Sequence, residues 1–330
     1  IKLSEKALAL NDIEGAGTLP MEANQYTVEQ LLTALLVGNS STAALALAEK
    51  VGGSEKSFVE KMKQKLSEWG IQSPHLINAT GLNTQTISGD PDGKGDENQL
   101  SAYDIAVIAK HLLQDFPEVT KYTSKPTALF SNTQIENPNL MLEGMLNYRS
   151  GVDGLRVSNS TKGGITFAAS TTQNGIHMIT VVLGVEAVDG DPYARFVATS
   201  SLMNYVVRTF VSSIVVKEGD PYGKSKATVM DGKSETVLAV AKKDFYIVEK
   251  QGSQAEPKIQ FKSNQESFRA PVKSGTNLGK LHYTDPDKIG RGYLEDQEPT
   301  VDMVSGRTIE KSFFLKVWWN EFVRYVNEKL

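Results

Sequence analysis

A nearly continuous apolar run, Met178–Val185, constrains the fold most, because a short run this rich in β-branched residues favours one buried strand. Ile165–Thr171 is expected to be its antiparallel neighbour, since Asn174-Gly175 between the two is a strong hairpin signal. Just upstream, four glycines let the backbone lie close to a ligand: Gly151, Gly154, Gly163 and Gly164. On the residues alone, a tight turn into a core hairpin is the simpler explanation for them.

Length and composition limit the possible classes of protein. A chain of 330 residues with 40% hydrophobic content can form two domains. Its net charge of −4 gives no general attraction to nucleic acid, so no nucleic-acid partner is expected. Without cysteine there can be no disulfide or thiolate metal site. The first residues show no signal peptide, and no apolar run reaches the roughly 18 residues of a transmembrane helix.

A loop over residues 89–97 carries three spaced aspartates, Asp90, Asp92 and Asp96. It resembles a calcium loop only faintly, because the closing glutamate is not at the required spacing. The four histidines are scattered along the chain and form no HExxH pattern. We therefore expect a solvated loop, with neither a metal site nor a cofactor.

The first two-thirds of the chain reads as helices with a few short strands. Thr27 and Gln30 form a capping box for a mostly apolar helix over Val28–Val37. A small polar break at residues 38–42 separates it from a second helix over Ala43–Val51. An active-site side chain can point into a cleft from such a break, although an ordinary helix–turn–helix corner is the simpler explanation. Further helices are predicted at Ser54–Gly70, Ser101–Leu113 and Pro192–Phe210, and short strands between Thr120 and Met145.

The hydrophobic period changes near Ser212, where short alternating runs separated by Gly, Asp and Ser turns replace the helical pattern. This pattern is typical of a small all-β module. The predicted strands are Ile214–Lys217, Lys226–Val229, Thr236–Val240, Phe245–Glu249, Lys258–Phe261 and Lys280–Tyr283. We therefore divide the chain into a first domain over 1–211, a β-rich domain over 212–308 and a terminal amphipathic helix over 309–330.

The terminal helix has one apolar face, formed by Leu315, Trp318, Trp319, Phe322, Val323, Val326 and Leu330. The opposite face carries Lys316, Asn320, Arg324, Asn327 and Glu328. Adjacent tryptophans on an amphipathic helix suit a membrane interface, so Trp318, Trp319 and Phe322 are predicted to anchor the chain at a membrane surface. The alternative is a helix docked on the β-rich domain through the same apolar face.

The stretch SGVDGLRVSNSTKGG (150–164) resembles a segment of the D-alanyl-D-alanine carboxypeptidases, the low-molecular-mass penicillin-binding proteins, that reads DGL-KTG in active members. The resemblance continues through PMEANQYTVEQLL (20–32), NQLSAYDIAVIAKHL (98–112) and DPYARFVATSSLMNYV (191–206). It implies an α/β (α+β) domain of the penicillin-binding and β-lactamase type, followed by a small all-β domain and a C-terminal amphipathic helix. It also implies a place at the outer face of the membrane, the peptidoglycan stem peptide as partner, and β-lactams as ligands of active relatives.

Active members of this family are serine acyl-transfer enzymes that carry Ser-x-x-Lys, Ser-x-Asn and Lys-Thr-Gly. No serine of this chain has a lysine three residues later. Ile1 resembles a point downstream of that motif, so we expect the fold to be N-terminally incomplete and to hold no catalytic nucleophile. The Ser-x-Asn motif corresponds to Asn39-Ser40-Ser41 and the Lys-Thr-Gly motif to Arg156-Val157-Ser158.

The substituted positions retain only part of what the family motifs provide. Arg156 keeps a positive charge that could bind a carboxylate, whereas Val157 removes a hydroxyl group. Ser158 adds a side chain where glycine lets substrate approach the strand. Arg156 alone would be a surface ion-pair residue, and Asn39 and Ser41 alone would be turn residues. Only their coincidence with family positions makes them candidate substrate-binding residues.

Three functional hypotheses follow from the resemblance. The first is a carboxypeptidase-family protein with impaired or absent catalysis. The second is an active carboxypeptidase whose Ser-x-x-Lys lies upstream of Ile1. The third is a non-enzymatic scaffold at the cell wall, in which the β-rich domain and the terminal helix act.

Overall fold

The structure is a computed structural model that describes residues 1–17, 19, 21–89, 95–160, 162–187, 190–255 and 258–329. The chain divides into two compact units, Ile1–Arg208 and Thr209–Leu330. The α/β character of the first unit and the all-β character of the second follow the predicted fold class.

Helices form most of the first unit. They are α1 (Glu5–Ala9), α2 (Val28–Leu36), α3 (Ser41–Gly52), α4 (Glu55–Glu68), α5 (Thr84–Ser88), α6 (Ala102–Asp115), α7 (Thr120–Thr123) and α8 (Ala194–Thr209). The predicted capping box of α2 is confirmed, because the Gln30 amide donates to Thr27 Oγ1 at 3.1 Å and the Thr27 amide to Gln30 Oε1 at 2.8 Å. α3 begins at Ser41, inside the predicted polar break, because Ser40 caps it.

A three-stranded antiparallel sheet forms the centre of the first unit, in the order β3 (Val152–Ser160), β4 (Gly164–Gln173) and β5 (Ile176–Val185). The turn from β4 to β5 is the predicted Asn174-Gly175, and both residues have positive φ, 51° and 73°, as a type I′ turn requires. A separate hairpin pairs β1 (Thr127–Phe130) with β2 (Thr133–Glu136). β3 lies at an edge of the central sheet, which leaves one side of its backbone unpaired within it.

The second unit is a β domain with its own core. Its strands are β6 (Phe210–Val216), β7 (Pro221–Met230), β8 (Thr236–Ala241), β9 (Phe245–Lys250), β10 (Lys258–Ser263), β11 (Phe268–Arg269), β12 (Asn277–Thr284) and β13 (Thr300–Ser305). Six of them form a sheet in the order β10-β12-β13-β8-β7-β11, and β6 pairs with β9. Leu278, Leu281, Tyr283 and Met303 are almost fully buried in the core of this unit.

α8 ends at Thr209 and β6 begins at Phe210, so a boundary at the predicted 211/212 falls inside β6. We expect a fragment over 209–312 to fold alone, because its sheets pair within that range and enclose their own core. Dispersed amide signals and cooperative unfolding would show this. A matched fragment that starts at Ser213 loses the first three residues of the β6–β9 ladder, so it should unfold at a lower denaturant concentration than the longer fragment. A collapsed spectrum from the longer fragment would contradict an independent domain.

The terminal helix α9 (Phe314–Lys329) begins five residues later than predicted. The predicted start at Ile309 is wrong because this side chain is buried in the β domain and its backbone exchanges hydrogen bonds of 2.8 and 2.9 Å with Val272. Trp318, Trp319 and Phe322 are 61%, 58% and 48% exposed. The apolar face of α9 therefore does not dock on the β domain, as the alternative to an anchor required.

Candidate functional site

A cavity of about 440 Å³ lies beside the central sheet. Arg156, Ser158, Ala168 and Val181 line its sheet side, while Gln99, Leu100 and Ile105 are among the residues opposite. Side chains alternate between the faces of a strand, and Arg156 pairs with Ala168 and Ser158 with Thr166, so these residues share one face of the sheet. The cavity thus opens onto the end of the edge strand that carries the altered Lys-Thr-Gly positions.

Arg156 connects this edge strand to the helical part of the unit. Its half-buried guanidinium donates from Nη1 to the carbonyl oxygen of Leu35 at 2.8 Å. Burial lowers the pKa of Arg156 to about 10, which leaves it positively charged at neutral pH. Leu35 lies in the last turn of α2, four residues before Asn39, so the bond joins the altered Lys-Thr-Gly strand to the helix leading into the Asn39–Ser41 corner.

The structure does not place Val157 at the cavity. Val157 pairs with Phe167, whose ring meets Phe196 of α8 edge-on at a centroid distance of 5.5 Å. It therefore belongs to the α8 face of the sheet, away from Arg156 and Ser158. The side chain of Ser158 is exposed, whereas a glycine would leave that position empty.

The Asn39–Ser41 corner lies outside the lining of this cavity. Asn39 has a φ of +57°, a conformation that asparagine tolerates better than most residues, and Ser40 Oγ caps α3 by accepting from the Ala43 amide at 3.2 Å. Ser41 is 6% exposed, and its amide donates to the Ala16 carbonyl at 3.0 Å. Asn39 Oδ1 is buried without a hydrogen-bond partner among the described residues.

A close backbone approach covers the corner from one side. A side chain at Gly17 would place its Cβ 3.1 Å from the Asn39 carbonyl oxygen, so a larger residue there would have to push the corner away. The predicted roles of Asn39, Ser41, Arg156, Val157 and Ser158 in substrate binding stay predictions. Of these five, only Arg156 and Ser158 line the cavity.

Two residues that hold the end of the β3–β4 hairpin escaped the sequence reasoning. Glu97 is 3% exposed, and its Oε1 accepts from Ser160 Oγ and from the Lys162 amide, both at 2.7 Å. Arg195 of α8 donates from Nη1 to the carbonyl oxygens of Ser158 and Thr166 at 2.8 and 3.0 Å. Glu97 reads as the end of an acidic loop and Arg195 as one of many helix residues, so no local pattern marks either.

Of the three aspartates that faintly resemble a calcium loop, Asp90 and Asp92 lie outside the described residues. Asp96 accepts from His75 Nε2 across 2.9 Å, and this bond holds the pKa of the Asp96 carboxyl below its usual range. Within the described ranges, no group of three or more His, Asp or Glu side chains is placed to hold a metal ion. Likewise, none of the helices described here combines the length and apolar character needed to cross a membrane.

Two family models match this chain. The D-alanyl-D-alanine carboxypeptidase family matches residues 1–187, and the C-terminal domain of penicillin-binding protein 5 matches residues 210–311. Among curated relatives, D-alanyl-D-alanine carboxypeptidase DacA of Haemophilus influenzae is 28% identical over 262 residues, which is 78% of this chain and 61% of the relative. DacF of Bacillus subtilis is 25% identical over 85% of this chain and 67% of its own length. The chain therefore spans roughly three-fifths of the length of DacA.

Solved structures agree with the family models. A peptidoglycan synthesis regulatory factor (PBP3) from Streptococcus pneumoniae shares 45% sequence identity with a TM-score of 0.89, over 94% of this chain and 85% of its own. Penicillin binding protein 5 from Haemophilus influenzae, at 23% identity and a TM-score of 0.67, shares the fold. These matches confirm the predicted family and the order of an α/β domain before a small all-β domain. The chain belongs to the D-alanyl-D-alanine carboxypeptidase family.

Proposed function

We propose that this chain binds the D-Ala-D-Ala end of peptidoglycan stem peptides, with Arg156 as the group that holds the terminal carboxylate. One observation carries the proposal: Arg156, whose guanidinium is charged, is among the residues that line a cavity at the end of the edge strand, where the family resemblance implies a cation. An arginine fork can hold a carboxylate through two parallel charge-assisted hydrogen bonds.

The edge position of β3 supports the same proposal. An extended peptide can add itself as a further strand to an unpaired sheet edge, where the main chain supplies affinity and neighbouring cavities supply specificity. β3 is such an edge, and Ser158 lies two residues beyond Arg156 on the same face. A stem peptide that aligns along β3 could then direct its carboxylate toward Arg156, although the Ser158 side chain reduces how closely it can approach.

Catalysis by this polypeptide is proposed to be impaired or absent. An acyl-transfer serine needs a base that takes its proton, and no serine here has the lysine partner that the family uses. An active carboxypeptidase with its Ser-x-x-Lys upstream of Ile1 is the alternative. The upstream sequence distinguishes the two, because a Ser-x-x-Lys there favours the active enzyme.

Replacing Arg156 by alanine is expected to weaken binding of a D-Ala-D-Ala peptide by roughly 10- to 150-fold, the equivalent of about 1.5–3 kcal/mol for charge-assisted hydrogen bonds. Calorimetric titration of the full chain and of Arg156→Ala measures the change. Equal affinities would remove Arg156 from the site.

Two further variants control this titration. Arg156→Lys restores the family residue and keeps the charge, so it should retain most of the affinity. Lys162→Ala removes another cation that lines the cavity and lies 3.5 Å from Asp96. If Lys162→Ala lost as much affinity as Arg156→Ala, general positive charge at the cavity rather than a cation at position 156 would explain binding. Far-ultraviolet circular dichroism checks that loss of the Leu35 contact has not unfolded the chain.

We further propose that the chain works at the outer face of the cell membrane, held there by α9. The orientation of this helix supports the proposal, since Trp318, Trp319 and Phe322 are directed away from the β domain. Tryptophan and phenylalanine on one side of an amphipathic helix match the headgroup region of a lipid bilayer. This surface also favours a scaffold role if the cleft proves inactive.

A further inference from the structure

A single buried carboxylate binds the polar face of α9. The Asp231 side chain is only 2% exposed, and it lies directly after β7. Arg324 of α9 binds it bidentately, with Nη2 to Oδ2 at 3.0 Å and Nη1 to Oδ1 at 3.3 Å. Asn320, one helical turn earlier, donates to Oδ1 at 3.3 Å, and Arg269 Nε donates to Oδ2 at 3.4 Å. We call these four side chains the Asp231 clasp.

The clasp also holds the start of the helix. The backbone carbonyl of Asp231 accepts from the amide of Ser312 at 2.8 Å, two residues before α9 begins. Asp231 has a φ of +59°, a conformation that aspartate and asparagine tolerate better than most residues. One residue in an unusual backbone conformation therefore binds both the segment that leads into α9 and the polar face of α9 itself.

The Asp231 carboxyl is ionised at neutral pH. Burial raises the pKa of this carboxyl, but hydrogen bonds from Arg324 and Asn320 together with the charge of Arg324 outweigh it, so the pKa lies below its usual value. A carboxyl with a lowered folded-state pKa stabilises the fold above its unfolded pKa and loses that contribution only as pH falls through the lowered value. The clasp is therefore intact at neutral pH.

The clasp works against the hydrophobic effect on α9. Asn320 and Arg324 are four residues apart and share one side of the helix, while Trp318, Phe322 and Tyr325 lie on the opposite side. Those three rings are 61%, 48% and 62% exposed. Exposed apolar surface of this kind tends to turn toward any apolar neighbour, including a second copy of the chain. Something must hold the helix in the outward orientation.

We propose that Asp231 is the positioning residue that keeps the polar face of α9 on the β domain and presents the aromatic face to a lipid surface. This rests on the membrane role proposed above. Without the charge of Asp231, α9 would no longer be held in this orientation, and its aromatic face would turn toward apolar protein surface. The same helix would then reach a bilayer less often.

Tryptophan accessibility without lipid tests the clasp directly. A Trp69→Phe background leaves only the two tryptophans of α9. In that background, Asp231→Asn keeps the shape and the tolerated backbone conformation but removes the charge, and Arg324→Glu places a like charge opposite Asp231. Both variants should show blue-shifted emission and less quenching by acrylamide than the background protein. Unchanged emission and quenching in both variants would overturn the proposal.

Glu321→Gln is the matched control. Glu321, which also lies on α9, pairs at 3.0 Å with Arg269 of β11, whose Nε keeps its separate bond to Asp231; this pair is exposed, so its loss should leave emission and quenching unchanged. Circular dichroism and thermal unfolding of each variant confirm that the β domain is folded. If Glu321→Gln changed the signals as much as Asp231→Asn, any surface charge would have the same effect and the specific role of Asp231 would be refuted.

Vesicle binding separates this inference from the membrane proposal. Binding of phosphatidylcholine vesicles should fall roughly tenfold in Asp231→Asn, as expected when a charge-assisted bond no longer selects the outward orientation. If the unmodified chain does not bind vesicles, the membrane role fails, and the quenching data alone decide the clasp. If all variants bind vesicles equally and acrylamide quenches their tryptophan emission equally, the positioning role of Asp231 is refuted and the membrane role stands.

Discussion

A fluorescent penicillin is expected to leave this 330-residue chain without a covalent label. Acylation forms a bond between a serine Oγ and the β-lactam carbonyl carbon while the lactam C–N bond opens, and a nearby base must accept the serine proton. No serine here is followed by lysine at the family spacing. At the Lys-Thr-Gly positions, Val157 has no hydroxyl and faces the α8 side, and Ser158 projects a side chain where glycine would allow close approach.

Denaturing gels and intact mass spectrometry measure this directly. Penicillin binding protein 5 from Haemophilus influenzae serves as the positive control under identical conditions. A stoichiometric adduct on this chain would contradict the expectation, and peptide mapping would then identify the serine. Ser160 is the position to inspect first, since its hydroxyl donates to the buried Glu97 at the cavity wall. Ser160 Oγ also accepts from the Gly163 amide, and Glu97 Oε1 also accepts from the Lys162 amide. These bonds indicate that Ser160 and Glu97 have a structural role.

Local patterns predicted the secondary structure well where neighbouring residues decide it. The capping box at Thr27 and the Asn174-Gly175 turn act over two to four residues, and both are formed. β11 and β13 were not predicted. β11 has only two residues, and β13 buries the polar Ser305 while Val304 is only partly buried, so neither gives a strong alternating pattern.

The start of α9 and its orientation depended on distant contacts that no local pattern contains. The predicted helix began at Ile309, yet this residue pairs with Val272 in the β domain. The wheel separated an apolar from a polar face but could not say which of them meets the protein. That choice depends on Asp231, whose partner Arg324 is 93 residues away along the chain.

The candidate site shows the same limit. Resemblance located Arg156, but only the fold shows that Leu35 accepts a hydrogen bond from it and that Val157 lies on the opposite face of the sheet. The contribution of Glu97 also arises from a fold that brings it to the β3–β4 hairpin, 63 residues from Ser160. Sequence patterns can therefore indicate which groups carry chemistry, whereas the tertiary structure determines which residues they contact.

The membrane role predicts that the full chain floats with phosphatidylcholine vesicles and that Trp318→Ala/Trp319→Ala does not. Each large apolar side chain could contribute about 1.5–3 kcal/mol when buried, so removing two should lower partitioning on the order of 100-fold or more. The Asp231 clasp engages Arg324, and Glu321 pairs with Arg269, so the helix offers little net positive charge to anionic lipid. Binding should therefore depend weakly on salt and on the fraction of phosphatidylglycerol.

A chain that ends at Ser312 is the matched control, because it removes α9 but keeps Ile309 and its pairing with Val272 in the β domain. It should stay at the bottom of the gradient with every lipid mixture. If anionic lipid increased binding and high salt abolished that increase, electrostatic attraction would explain the attachment instead. The tryptophans would then contribute little to binding. If the full chain, the truncated chain and the double tryptophan variant all float equally, or if none floats at any lipid concentration, α9 is not the anchor.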